Sequence, residues 1–273
     1  MTMKNLITKI ITLSLVSLLV LGTAGCSPKK STPTTAESTL DQPVWIVGLD
    51  DIFAPMGFRD EKGEIVGFDV DIAKAIGEKL EKEIKFQPIN WDMKETELNA
   101  GNIDLIWNGY TITDERKEKV SFSVPYLDNK QVIVTLADSD IQTKADLAGK
   151  RVGAQSESSA VSAMEKDSDL YQSFDGGKAT TFEDNNQALM DLEAGRLDAV
   201  VADEILLRYY ITLKGEEKFS ILEENFGDEQ YGVGMRKGDS RMVDAFNAAY
   251  AELKADGTLK AISEKWFGED ITK

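Results

Sequence analysis

The sequence predicts an α/β protein built as two similar lobes, and three observations predict it. Short apolar runs ending in Gly or Asp alternate with segments whose apolar residues recur every three or four positions, the pattern of strands feeding helices. A helix–glycine–strand unit, "LNAGNIDLIWNG" (98–109), is echoed by "LEAGRLDAVVAD" (192–203). Two extended stretches, "YLDNKQVIVTL" (126–136) and "FGDEQYGVGM" (226–235), stand where a chain would cross from one lobe to the other and back. The 273 residues, 42% of them apolar, suffice for cores in two domains of ordinary size.

In chain order, Lys4 and Lys9 precede "IITLSLVSLLVLG", the basic and apolar regions of a secretory signal. "TAGC" (Thr23 to Cys26) follows and resembles the lipobox of bacterial lipoproteins, with Thr23 in place of the usual leucine. That resemblance implies cleavage after residue 25 and acylation of Cys26, the only cysteine; the other reading is an ordinary signal with a chance cysteine. "SPKKSTPTTAESTLDQP" completes a segment, 26–43, with no apolar period, which reads as a flexible tether. "VWIVGLD" is then a buried strand, and "FDVDIAKAIGEKLEKEI" a helix carrying Ile72, Ala73, Ile76 and Leu80 on one face, with Asp69 as its N-cap. "ELNAGNIDLIWNGYT" is a helix end, a stop at Gly101 and a strand from Ile103 to Trp107. "KRVGAQSE" opens the second half as "VWIVGLDD" opens the first. The alternation predicts parallel sheets, with lobe 1 formed by 44–128 and 230–273 and lobe 2 by 129–229.

The formal net charge of −17 disfavours nucleic acid as a partner. The chain has no histidine, which removes Ser-His-Asp and Cys-His catalysis and most zinc sites. In open α/β sheets ligands lie beyond the carboxyl ends of strands, so the loops after Gly48, Trp107, Gly153 and Ala202 are the ones to inspect. They carry Asp50, Asp51, Phe53 and Phe58; Asn108, Gly109, Tyr110 and Thr111; Ser158 and Ser159; and Asp203. Arg116 follows Thr111 within "NGYTITDERKEKVSFSVPY", a charge run that by itself reads as a solvated helix face.

"GEIVGFDVDIAKAIGEKL", "ITDERKEKVSFSVPY", "QYGVGMRKG" and "DGTLKAISEKWFG" together resemble the polar amino-acid-binding proteins of ATP-driven importers, the extracellular solute-binding proteins of family 3. The similarity runs from about Val44 to Gly268. It implies a type II periplasmic-binding-protein fold, two Rossmann-like lobes joined by a two-strand hinge. It also implies a monomer without cofactor that passes a free L-amino acid to permease subunits at the outer face of the cell membrane. By this resemblance Arg116 grips the ligand α-carboxylate, a task suited to a planar guanidinium, with Thr111, Asn108 and the Gly109 backbone beside it. Asp203 receives the α-ammonium from lobe 2, Phe53 and Trp91 sandwich the side chain, and Asp50 meets its distal end. Ser158 and Ser159 match a loop that is often glycine-rich in the family but here contains Glu157. The residues themselves keep other readings open: Phe53 and Trp91 as core aromatics, Asp50 as a turn residue, Asp203 as a helix cap, Thr111 as a strand residue. The ligand stays open between a basic amino acid such as arginine, an amide such as glutamine, and cystine. Two other functions also stay open: a dehydratase using Glu157 or Asp51 as acid, and a sensory or adhesive surface lipoprotein.

Overall fold

A computed structural model describes residues 38–273. Cys26 and the signal segment lie outside the described residues. The tether expected over 26–43 does not hold for residues 38–43, which are folded; the rest of that segment lies outside the described residues. Ser38 Oγ donates to Asp239 Oδ1 (2.6 Å), Thr39 N donates to Asp239 Oδ2 (2.7 Å), and the Trp45 indole donates to the Thr39 carbonyl (3.0 Å). Composition suggested a tether; buried hydrogen bonds to a distant part of the chain override it.

The first sheet opens with β1 (Val44–Leu49). A small three-stranded sheet follows, β2 (Ile52–Phe53), β3 (Gly57–Arg59) and β4 (Ile65–Val66). Then come α1 (Phe68–Lys79), β5 (Glu83–Pro88), α2 (Lys94–Ala100), β6 (Leu105–Ile106), α3 (Asp114–Lys119) and β7 (Val120–Phe122). The chain crosses on β8 (Leu127–Leu136) into β9 (Val152–Gln155), α4 (Ser159–Glu165), α5 (Ser168–Gln172), β10 (Thr180–Phe182), α6 (Asn185–Glu193), β11 (Ala199–Asp203) and α7 (Glu204–Lys214). It returns on β12 (Phe219–Tyr231) to β13 (Gly234–Arg236), α8 (Ser240–Ala255) and α9 (Thr258–Phe267).

Two five-stranded sheets result, ordered β5-β1-β6-β13-β7 and β10-β9-β11-β8-β12. Both are mixed, where strand–helix alternation had pointed to parallel sheets: β13 runs antiparallel to β6 and β7, and β8 antiparallel to β11 and β12. The reason is the return of the chain. β12 pairs with β8 along nearly its whole length and, three residues on, β13 pairs with β7, so both crossings belong to one antiparallel ribbon. Register shifts between Ile221 and Asp228 bend that ribbon.

Each sheet sorts its side chains by strand period. Val47, Leu105 and Trp107 join the core of α1, α8 and α9, while Ile106 packs with Leu98 of α2. Val132, Val134 and Val200 face Leu189 and Leu192 of α6, while Ile133, Val201 and Ala154 face Ala160 and Met164 of α4. Asp69 is not the cap of α1. That position belongs to Gly67, and Asp69 lies buried in the first turn.

The internal repeat is real in three dimensions. Asp104 accepts from the Ile46 amide (2.8 Å) and is paired with Arg236 (2.8 Å). Its counterpart Asp198 accepts from the Arg151 amide (2.7 Å) and is paired with the Arg151 side chain (2.6 Å). A Cβ on Gly48 would lie 2.4 Å from Ile103 Cδ1, and one on Gly153 would lie 2.3 Å from Leu197 Cδ1, so each opening strand needs glycine where the repeat's apolar residue crosses it. One local solution, an aspartate tying a strand to its neighbour beneath a close apolar contact, is used twice.

Candidate ligand cleft

The loops beyond β1, β6, β9 and β11 converge, as the carboxyl-end rule requires. Thr113 caps α3 by accepting from the Arg116 amide (3.1 Å), which fixes the start of the helix and aims the arginine inward. The side chain is 7% exposed, so it is no solvated surface charge. Its Nη1 donates to the Thr111 carbonyl (3.0 Å), its Nη2 reaches across to the Glu157 carbonyl (3.2 Å), and its guanidinium lies 4.6 Å from the Tyr110 ring centre. Lys94 converges on the same carbonyl (3.1 Å). Burial and the nearby Arg116 charge pull this lysine down to about 8. Glu157 presents that carbonyl from a left-handed backbone (φ 52°), as the bend between β9 and α4 demands. A cavity of about 150 Å³ lined by Lys94, Arg116, Glu157 and Ser158 adjoins this meeting point, and one of about 290 Å³ lies along Thr111, Ser159 and Glu229.

From the second sheet Asp203 reaches the same region. It occupies the N-cap position of α7 yet makes no capping bond. Its Oδ1 accepts from Gln131 Nε2 (2.8 Å) and from Asn129 Nδ2. Burial, reinforced by the adjacent Glu229 carboxylate, pushes Asp203 up to about 7. Ser159 Oγ lies 3.1 Å from Thr111 Oγ1, joining the two lobes, and Thr111 also forms an isolated bridge to Tyr231. Ser158 is the N-cap of α4, and its buried hydroxyl has no partner.

Asp50 does two things at once. Its Oδ1 accepts from Ile52 N (3.0 Å) in a turn, while its Oδ2 accepts from Gln155 Nε2 of the opposite lobe (2.8 Å). Burial pushes it up to about 6. Phe53 and Trp91 sit in different apolar groups, Phe53 with Met56, Phe68 and Trp107, and Trp91 edge-on to Tyr110 (5.9 Å). Asn108 and Gly109 also make bonds inside the protein. Asn108 Oδ1 accepts from the Asp50 amide (3.1 Å), and Gly109 N donates to the buried Asp69 (2.8 Å), while the buried Asn108 Nδ2 has no partner. Gly109 serves the cleft by its shape: at φ 58° a Cβ would lie 2.8 Å from Phe53.

Sequence reasoning missed Lys94, Gln155, Asn129, Gln131 and Glu229. The last three were readable in principle. Asn129 and Gln131 alternate on β8, and Glu229 is paired in register with Asn129, so period two puts them on one face of the ribbon.

A model of the bacterial extracellular solute-binding proteins, family 3, matches residues 45–269. The chain belongs to this family. It is 35% identical over 230 residues to the L-cystine-binding protein TcyJ of Escherichia coli, covering 84% of each chain. It superposes with a TM-score of 0.83 on an ABC uptake transporter substrate-binding protein of Streptococcus pneumoniae with bound histidine, at 40% identity, covering 86% of this chain and 96% of that one. An ancestral arginine-binding protein bound to glutamine gives 0.77 at 39% identity, covering 84% and 99%. The two sheets and their helices are therefore the two lobes of a type II periplasmic-binding-protein fold. No helix among the described residues is long and apolar enough to cross a membrane.

Proposed function

We propose that this family 3 protein captures a free, polar L-amino acid between its lobes and delivers it to the permease of an ATP-driven importer, without chemistry. The observation that carries the reading is a pair of opposite charges at facing strand ends: the buried Arg116 of lobe 1 and the buried Asp203 of lobe 2. The guanidinium suits an α-carboxylate, and the aspartate suits an α-ammonium. Thr111 and Ser159 supply hydroxyls at the lobe junction, and Asp50 with Gln155 supplies polar groups for the distal end. Phe53 and Trp91 supply apolar wall from separate packing groups, while Asn108 and Gly109 shape the site from behind. The lobes are residues 44–128 with 230–273, and 129–229. Hinge closure on the β8–β12 ribbon is stabilised by whichever ligand binds the closed form better.

The related proteins named for cystine and histidine, and the ancestral protein bound to glutamine, support an amino acid as the ligand class. The acids a dehydratase would recruit do not favour that alternative: Asp51 is paired with the exposed Arg59 (2.5 Å), and Glu157 engages the cleft through its carbonyl. Acylation of Cys26 would hold the protein at the outer face of the membrane as a monomer, and metabolic labelling with a fatty acid, lost in Cys26→Ser, tests that. The function itself is tested by a thermal-shift screen of the twenty amino acids plus cystine and ornithine. Binding stabilises the native state by mass action, so at least one polar member raises Tm. No shift with any of them refutes the reading.

A further inference from the structure

Glu229 lies on β12, outside the four strand-end loops that form the cleft. Its Oε2 is 3.0 Å from Thr111 Oγ1, 3.2 Å from Ser159 Oγ, 2.8 Å from Gln131 Nε2 and 3.4 Å from Asn129 Nδ2. The two amides also hold Asp203, so two carboxylates converge on one pair of neutral donors. Asn129 (4% exposed) and Gln131 (0%) each keep a buried amide oxygen without a partner, and the Tyr231 hydroxyl faces Asp203. Two carboxyl groups and two orphan amide oxygens make a cluster richer in acceptors than in donors. Buried acceptors left unmatched are costly, and an ammonium, with three N–H donors and a positive charge, is the group that matches them.

We propose that Glu229 is a specificity-determining residue: with Asp203, and with the Asn129 and Gln131 amides behind them, it forms a two-carboxylate cradle that selects ligands carrying an α-ammonium. The inference rests on the amino-acid reading of the cleft and adds to it a residue from the hinge ribbon. Because Glu229 stands on the strand that links the lobes, recognition of the ammonium and bending of the hinge share one side chain. A ligand with a carboxylate but no ammonium meets two unneutralised acids and is rejected by repulsion as well as by missing bonds.

The test is Glu229→Gln, which removes the charge and keeps an acceptor for Thr111 and Ser159. L-arginine, L-histidine and L-cystine are titrated calorimetrically, each beside its deaminated counterpart (guanidinopentanoate, imidazolylpropanoate, dithiodipropanoate). Expected is a rise of at least about tenfold in the Kd of the bound amino acid, while the Kd of its deaminated partner is unchanged or falls because one repelling charge is gone. Glu229→Asp, which keeps the charge, retains the preference for the amino acid, and it decides the question if the glutamine variant does not fold. Equal losses for both members of a pair overturn the proposal, because Glu229 would then serve only the contact between lobes; unchanged affinities overturn it too. If the wild-type protein binds no amino acid, the functional reading falls and this inference with it, an outcome distinct from failure of the cradle alone.

Discussion

Arg116→Ala removes three separable things. Two hydrogen bonds go, to the Thr111 and Glu157 carbonyls, along with the stack on Tyr110 and the proposed grip on the ligand carboxylate. Their sizes differ, and so do the assays that read them. Glu157 O keeps Lys94 as a donor, so only the Thr111 carbonyl loses its side-chain partner. A buried acceptor left without a partner costs about 1–3 kcal/mol, which at this chain length lowers Tm by several degrees without unfolding the protein. Binding loses much more. Truncating one member of a buried hydrogen-bonded charge pair costs about 2–5 kcal/mol, which at 1.4 kcal/mol per decade is roughly thirtyfold to several thousandfold in Kd. Isothermal titration with the amino acid found by the thermal-shift screen measures that loss, and far-ultraviolet circular dichroism at the same temperature checks the fold. Arg116→Lys keeps the charge but not the fork, so it falls between wild type and alanine. Wild-type affinity in Arg116→Ala refutes the argument that a 7% exposed guanidinium at this strand end is there for an anion.

Other expectations follow from the same geometry. Gly109→Ala forces a left-handed alanine whose Cβ lies 2.8 Å from Phe53, so a destabilisation of at least about 1–2 kcal/mol should appear as a lowered Tm. Burial pushes Asp69 from 3.8 up to about 7, so the stability from its protonated form is complete below about pH 4 and is lost as the pH rises through 7. Tm measured from about pH 5 to 8 should therefore carry a downward contribution that Asp69→Asn flattens; an unchanged slope argues against the shift. Asp203, raised to about 7, must be ionised to hold an ammonium, so amino-acid affinity measured by titration should strengthen from about pH 5.5 to 8 and lose that dependence in Asp203→Asn. Asp239→Ala removes the acceptor for Ser38, Thr39 and the Met242 amide that starts α8, and thermal denaturation should show a loss of at least about 2–4 °C.

What was legible in the sequence was local. The aspartate of each repeat unit bonds to a strand laid down nearby, so "NIDLI" and "RLDAV" looked alike because they do the same thing in each sheet. Arg116 was legible only through the family resemblance, since its charge run alone reads as a solvated face; what turns it inward, a threonine cap three residues before it, is nonetheless local. Hidden were the groups whose partners lie far along the chain. Glu229 meets Thr111 across 118 residues, and Gln155 meets Asp50 across 105. Asp69 looked like a cap because caps are the commonest job for an aspartate before an apolar run. Only the fold shows that it is buried, with the Tyr126 hydroxyl (2.8 Å) and the Gly109 amide turned toward it. The antiparallel strands were hidden for a related reason: strand direction is set by where a late segment returns, which alternation does not encode.

The buried contacts of Ser38 and Thr39 also have a mechanical meaning. They fasten the entering chain to Asp239 and, through the Thr39 hydroxyl, to Arg236, whose guanidinium also holds Asp104. Asp104 precedes β6 and Trp45 lies near the start of β1, so this clasp sits at the amino ends of strands whose carboxyl ends carry Asn108 and Asp50. A pull on the chain from the N-terminal side of Ser38 would therefore meet lobe 1 first, at the edge opposite the cleft, and not at the hinge ribbon.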